Sequence, residues 1–511
     1  MSSPTTFLPR RVIPRWRDFN VAARTGELDT LSPDKRADNE HEKHEGIEHE
    51  EHEVIKAKWS ISPSIPLAGE LLSSSVILGD REEGTKAARY ILDNSGAIMS
   101  PATEMAHSFL EMEPVGILSG LVEISSLRAA LRSNARNPIA WSNLARIHAI
   151  LGDNKKALRE MTIAFELARD SRYMLRVATR CFLHLEDPAR AGAILLSNAR
   201  WQEDPWIAAA LVSTQSILGQ TPRKIRGLRS LAADGNLELH HRAELLAAIA
   251  TLEIESGNDG KAKRLLREAL HDPNENVVAQ GLWVMRNHFQ INIDDNQLDT
   301  PYSFEANTMA ASRVGNWEVA REKAKLWYKD EPFAGRPAVE LGFLQAVIFQ
   351  DYQESVSVLT PALKANEGDL KIINNLAYSL ACMGKINEAK EIYSRVNLKQ
   401  VSDTQRIHLV ATAGLIEFRD GNHIEGRKFY EKAASFAGTI RGGELKALVK
   451  GYHALEEDRM FAEGASEIKK EATELLSKFK GAVPQWLKGR LEADIDTTGG
   501  VLGRAIAKGK P

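Results

Sequence analysis

Four histidines and seven glutamates fall within the fifteen residues 39–53, NEHEKHEGIEHEEHE, a composition able to bind metal. On a helix, His41, His44, His49 and His52 share an arc of about 140° at 100° per residue, close enough for two or three imidazoles to reach one Zn²⁺, Ni²⁺ or Cu²⁺ ion. The spacing is not that of a zinc protease, because HEGIEH places one residue too many between its histidines for the i,i+4 pair of HExxH. Gly46 weakens a helix there, and Ile47 is almost alone as an apolar residue to bury. The stretch therefore reads first as a solvated acidic linker, with adventitious or regulatory metal binding as the weaker alternative. With neutral histidines, seven Glu and one Lys give it a charge of −6, and full protonation brings it to −2. Its self-repulsion is thus expected to change near pH 6.5.

Other chemistry is sparse. GDREEGTK, residues 79–86, has the two glycines of a phosphate-binding loop, but Thr85 precedes Lys86 where the lysine must come first. It reads as a turn. No dinucleotide fingerprint, nucleophile elbow or calcium loop occurs, and 69 acidic residues make chance carboxylate pairs uninformative. No catalytic residue and no cofactor is assigned. Cys181 and Cys382 belong to no CxxC or CxxH pair, so neither a disulfide framework nor a thiolate zinc site is expected, and a reducing, cytoplasmic setting fits.

The first seventeen residues, MSSPTTFLPRRVIPRWR, hold four arginines, three prolines and no acid. A targeting peptide is one reading of this composition, although the prolines oppose a clean amphipathic helix. The other is an ordinary N-terminal arm, one variant of which docks Phe7, Val12, Ile13 and Trp16 on a partner or on the body of the same chain. Trp16, flanked by Arg15 and Arg17, is the expected anchor.

Elsewhere, 66 basic side chains nearly balance the acids, for a net charge of −3, which removes the broad positive field of nonspecific nucleic-acid binding. Nucleic acid is accordingly not an expected partner. No apolar run approaches the roughly 18 residues of a membrane-spanning helix.

From about residue 66 the chain is a series of apolar segments at helical spacing, divided by short turns. NPIAWSNLARIHAILGDNKKALREMTIAFELA (137–168), LLAAIATLEIESGNDGKAKRLLREAL (245–270) and IINNLAYSLACMGKINEAKEIYSRV (372–396) share one layout. A small residue late in a first helix (Ala145, Ala250, Ala377) lies opposite one early in a second (Ala157, Ala262, Ala389), with a glycine turn between them. Turn positions at Gly152, Glu186, Gly219, Gly257, Gly315, Gln350, Gly384 and Gly421 are separated by 34, 33, 38, 58, 35, 34 and 37 residues. These offsets resemble the tetratricopeptide repeat, whose period is about 34. Arg169 stands where the repeat-end proline would follow the first pair, so the exact repeat count stays open.

The resemblance implies an all-α, right-handed superhelical solenoid of antiparallel helix pairs, with an extended or disordered N-terminal arm. The expected division is an arm at 1–38, an acidic linker at 39–60, repeats at 61–290, an insertion at 291–303, further repeats at 304–440, capping helices at 441–490 and a tail at 491–511. It further implies a concave groove that receives an extended or helical protein segment, lined by Ser142, Asn143 and Arg146 from one repeat and by Lys371, Asn374, Asn375 and Tyr378 from another. The repeat before Gly384 has Glu340 and Leu344 where a chaperone-carboxylate clamp needs lysine and asparagine. The expected function is a non-catalytic interaction scaffold or regulatory subunit with protein partners. An RNA-binding repeat protein and a metal- or pH-responsive regulator working through the histidine stretch are the alternatives. Oligomeric state is left open.

Overall fold

A computed structural model of the chain describes residues 10–17, 19, 52–78, 81–95, 102–103, 106, 110, 117–222, 224–396, 401–440 and 442–498. Every regular element among these is a helix. The chain divides into two compact units, one formed by Arg11–Val277 and the other by Met1–Arg10 with Val278–Pro511.

The first unit contains a helix over 52–61, then α1 (Ile65–Leu78), α2 (Arg81–Asn94), α3 (Ile117–Ser133), α4 (Pro138–Ile150), α5 (Asn154–Leu167), α6 (Arg172–His184), α7 (Pro188–Ser197), α8 (Pro205–Ile217), α9 (Ile225–Ala232), α10 (Leu239–Glu255) and α11 (Asp259–Ala269). Helix α12 (Glu275–Asn287) begins in this unit and ends in the other. The second unit continues with α13 (Phe304–Val314), α14 (Trp317–Asp330), α15 (Gly335–Phe343), α16 (Tyr352–Ala365), α17 (Leu370–Cys382), α18 (Ile386–Ser394), α19 (Asp403–Arg419), α20 (His423–Gly438), α21 (Glu444–Arg459), α22 (Ala465–Leu476) and α23 (Ala482–Thr498). In both units consecutive helices pack against one another in pairs.

The turns show why the pairs form. All eight expected turn residues have positive φ, including the non-glycines Glu186 (59°) and Gln350 (57°). At three of them the next residue is an aspartate that caps the second helix. Asp153, Asp187 and Asp351 accept from the backbone N–H of Lys156, Arg190 and Glu354 respectively. A left-handed stop and an N-cap in consecutive residues turn the chain through a tight corner. Ala145, Ala250, Ala377, Ala157, Ala262 and Ala389 are completely buried, which lets the two helices of each pair approach closely.

A π-helical turn at Leu344–Ile348 is followed by Gln350. Such a turn takes up one extra residue. Accordingly Gly342, whose added Cβ would lie 2.8 Å from Leu359, stands eight residues before its turn rather than the seven of Ala145, Ala377 and Gly414.

Three expected boundaries differ. The acidic linker ends earlier than 60, because Ile55 and Trp59, one helical turn apart, pack against the core of Ala68, Leu71, Leu72, Ala87, Ala88 and Ile91. Helix α23 runs into the expected tail, since Leu487 and Leu491 are fully buried with Ala454, Ala472 and Leu476. The segment 291–303 is a loop holding one short helix, Asp295–Leu298, closed by an Asp294/Gln297 capping box, but the units divide at Val277/Val278 instead.

Candidate functional site

Residues 11–17, RVIPRWR, lie along the N-terminal unit as an extended segment without regular secondary structure, held by side chains from five helices. Pro14 fixes its own φ and pushes Ile13 toward the extended region, and it has no N–H to satisfy. The segment is buried: Trp16 is 0% exposed, Arg17 2% and Arg15 7%.

Carbonyls along it accept hydrogen bonds from side chains of four helices. Ser213 Oγ on α8 donates to the Val12 carbonyl at 2.8 Å, and Asn276 Nδ2 on α12 donates to that of Ile13 at 2.7 Å. Arg146 Nε on α4 donates to the Trp16 carbonyl at 3.1 Å, and the Tyr173 hydroxyl on α6 donates to that of Arg17 at 3.0 Å. Contacts of this kind read an extended backbone and are indifferent to sequence. The Phe19 ring adds an edge contact to Tyr173, with centroids 5.2 Å apart.

Two ion pairs add sequence preference. Arg17 donates to Glu275 Oε1 at 2.7 Å, with both side chains almost wholly buried. Arg11 donates to Glu255 Oε1 at 2.9 Å and to Ser216 Oγ at 2.8 Å. Burial lowers the pKa of the Arg11 guanidinium, and the Glu255 carboxylate offsets part of that effect.

Behind the segment lies a buried network. Arg176 on α6 donates to both oxygens of Glu244 on α10, at 2.8 and 3.3 Å, and Asn274 and Asn276 donate to Glu244 Oε1 at 3.0 and 3.1 Å. Burial opposes the Glu244 charge, but Arg176 and the two amides outweigh it and hold the carboxyl below its usual range. Glu244 thereby orients Asn276, the residue that holds the Ile13 carbonyl.

Of the groove residues expected in this unit, Arg146 contacts the segment, Asn143 is half-buried on the same helix, and Ser142 is completely buried. Ser142 is therefore a packing residue rather than part of an open lining. Tyr173, Ser213, Ser216, Glu255, Glu275 and Asn276 were not found from sequence. Ser213 stands six residues before Gly219, as Arg146 stands six before Gly152, so the same register applied to α8 points to it. Helix α12 is followed by a loop rather than a turn residue, so no register reaches Glu275 or Asn276.

In the other unit, Arg10 makes a bidentate ion pair with Glu305, both bonds 2.9 Å, and bonds Gln280 Oε1 at 3.2 Å. Lys371 on α17 is exposed. Asn374 donates to Asn375 Oδ1 at 3.3 Å, and Asn375 donates to the Val339 carbonyl on the preceding first helix at 3.4 Å. Asn375 thus contributes to helix packing. Tyr378 is half-buried, and burial raises its pKa well above the usual tyrosine value.

His52 begins the helix over 52–61, where it is buried with Nδ1 2.8 Å from Ser74 Oγ. His41, His44 and His49 lie outside the described residues. Among the described residues no group of three or more His, Cys, Asp or Glu is arranged to hold a metal ion, and no helix is long and apolar enough to cross a membrane.

No family model and no curated protein matches the chain. Solved structures do. Yeast Tom70 aligns at 14% identity over 80% of this chain and 98% of its own, with a TM-score of 0.27. The APC/C hetero-tetramer Cut9–Hcn1 aligns at 12% identity over 85% and 84%, with a TM-score of 0.36. The human IFIT1 dimer with PPP-AAAA aligns at 13% over 87% and 90%, with a TM-score of 0.29. The helical-repeat assignment rests on the pairs and turns of the chain itself.

Proposed function

We propose that this protein is a non-catalytic interaction scaffold, acting as a regulatory or structural subunit of a larger assembly, and that the groove of its N-terminal unit binds extended protein segments. One observation carries the reading: four backbone carbonyls of residues 11–17 are each met by a side chain from a different helix. Such donors satisfy the carbonyls of an extended chain whatever its side chains are, as a groove that receives extended segments requires.

The acidic side chains Glu255 and Glu275 in the groove repel phosphate and attract arginine, which favours a basic protein segment over RNA. A cytoplasmic setting belongs to the same reading, supported by Cys181 and Cys382 being free thiols.

The test is affinity purification from native cells of the tagged wild type beside a Ser213→Ala, Asn276→Ala double variant, with stoichiometric partners identified by mass spectrometry. The reading expects a partner that displaces residues 11–17 from the wild type and is lost by the variant. It is overturned if every partner is held equally by both.

A further inference from the structure

Resting on the groove reading above, we infer that the groove selects an extended segment with two arginines six residues apart and a tryptophan just before the second, and that residues 11–17 occupy it as a built-in competitor for such a partner. The partner class follows from what lines the groove. Glu255 and Glu275 meet the two ends of the segment, each bonded to an arginine. The more deeply placed pair, Arg17 with Glu275, has side-chain exposures of only 1% and 6%. A neutral residue at that place would leave Glu275 buried without a cation, which a buried carboxylate tolerates poorly.

Backbone donors stand between the two acids at Ser213, Asn276, Arg146 and Tyr173, so the ligand must be extended across five helices and cannot be a helix. The fully buried indole of Trp16 supplies the apolar anchor. A segment lacking either arginine or the tryptophan satisfies only part of this surface.

Competition follows from covalent connection. A tethered segment acts at an effective concentration on the order of millimolar, so a free segment of the same chemistry is outcompeted unless it binds more tightly or the arm is weakened. Any event that removes the arm from the groove therefore opens it to partners.

The experiment is fluorescence anisotropy with a fluorescein-labelled peptide RVIPRWR, titrated with full-length wild type and with full-length Arg11→Glu, Arg17→Glu. Charge reversal sets each end of the arm against Glu255 or Glu275 and expels it. An Arg11→Gln, Arg17→Gln chain keeps the assay decisive where charge reversal prevents folding, and cooperative thermal unfolding by circular dichroism verifies each sample.

The expected result is binding to the arm variants at least tenfold tighter than to wild type. A peptide with glutamine at both terminal arginines should bind the same variants at least tenfold more weakly than RVIPRWR. Equal affinity for wild type and folded arm variants overturns the competitor while leaving the groove reading intact. Equal affinity for the two peptides overturns the arginine requirement. Folded arm variants that bind neither peptide overturn the groove reading itself.

Discussion

The two units are built from the same helix pair, yet they use their polar side chains differently. In the N-terminal unit, Arg146, Tyr173, Ser213 and Asn276 direct donors at a segment distant from them in sequence. In the C-terminal unit Glu305 and Gln280 receive Arg10, while from α16 to α21 polar side chains of neighbouring helices bond one another. Arg419 makes a bidentate pair with Glu456 at 2.8 and 2.9 Å, Arg427 does so with Glu457 at 2.6 and 2.8 Å, and Ser355 bonds Ser379 at 2.9 Å. Asn375, a groove candidate by register, spends its amide on a neighbouring carbonyl. Identical scaffolding thus supports either a surface that recognises something else or one that fastens its own repeats together, and the direction of the donors decides which.

The comparison is broken most forcefully at Glu244. Replacing it with alanine leaves Arg176 buried without its counter-charge and releases Asn276, at an expected cost of about 3–5 kcal/mol in urea unfolding of the N-terminal unit. A loss below about 1 kcal/mol would mean that the network does not support the groove.

The next effect is one of pH. Burial, followed by the nearby Arg180 charge, pushes the His184 pKa from 6.5 down to about 3. The unfolded chain therefore takes up a proton near pH 6.5 that the folded unit refuses until about pH 3, and stability falls as pH drops through that window. His184→Gln should flatten the slope of stability against pH between 6.5 and about 3, measured by urea midpoints at each pH. An unchanged slope would remove His184 as its source.

Asn276→Ala, placed in the Arg11→Glu, Arg17→Glu chain, should weaken RVIPRWR binding by about 1–3 kcal/mol, because it removes a buried charge-oriented donor. Lys371→Ala with Asn375→Ala in the same chain should leave that binding within about twofold. A comparable loss from both would erase the distinction between the units.

The smallest effect calibrates the scaffold they share. Glu186→Gly relieves a positive φ of 59° and should raise stability by roughly 0.5–1 kcal/mol, the strain relief less the entropy cost of glycine. Destabilisation would show that Glu186 makes a compensating contact.

Much of the repeat is legible in the chain because its causes are local. The turn residue, the aspartate after it and the small residues seven before and five after it act within one helix pair, so period and residue type suffice to place them. Gln350 and Glu186 belong to the register despite lacking glycine's freedom, since their neighbours impose the turn. Boundaries set by tertiary burial are less visible: Trp59 extends the fold into an acidic linker, and Leu491 extends it into an apparent tail.

The site divides along the same line. Arg15, Trp16 and Arg17 stand out by composition, and Arg146 by its offset from a turn. That Arg17 meets Glu275, 258 residues away, has no local signature. The sequence by itself determined the helix pairs, their turns and an unusual arm, because steric and capping preferences act over a few residues. Only the tertiary structure decided where residues 11–17 lie and which acids and donors receive them, because those partners converge from five helices whose approach is set by packing rather than by any one segment.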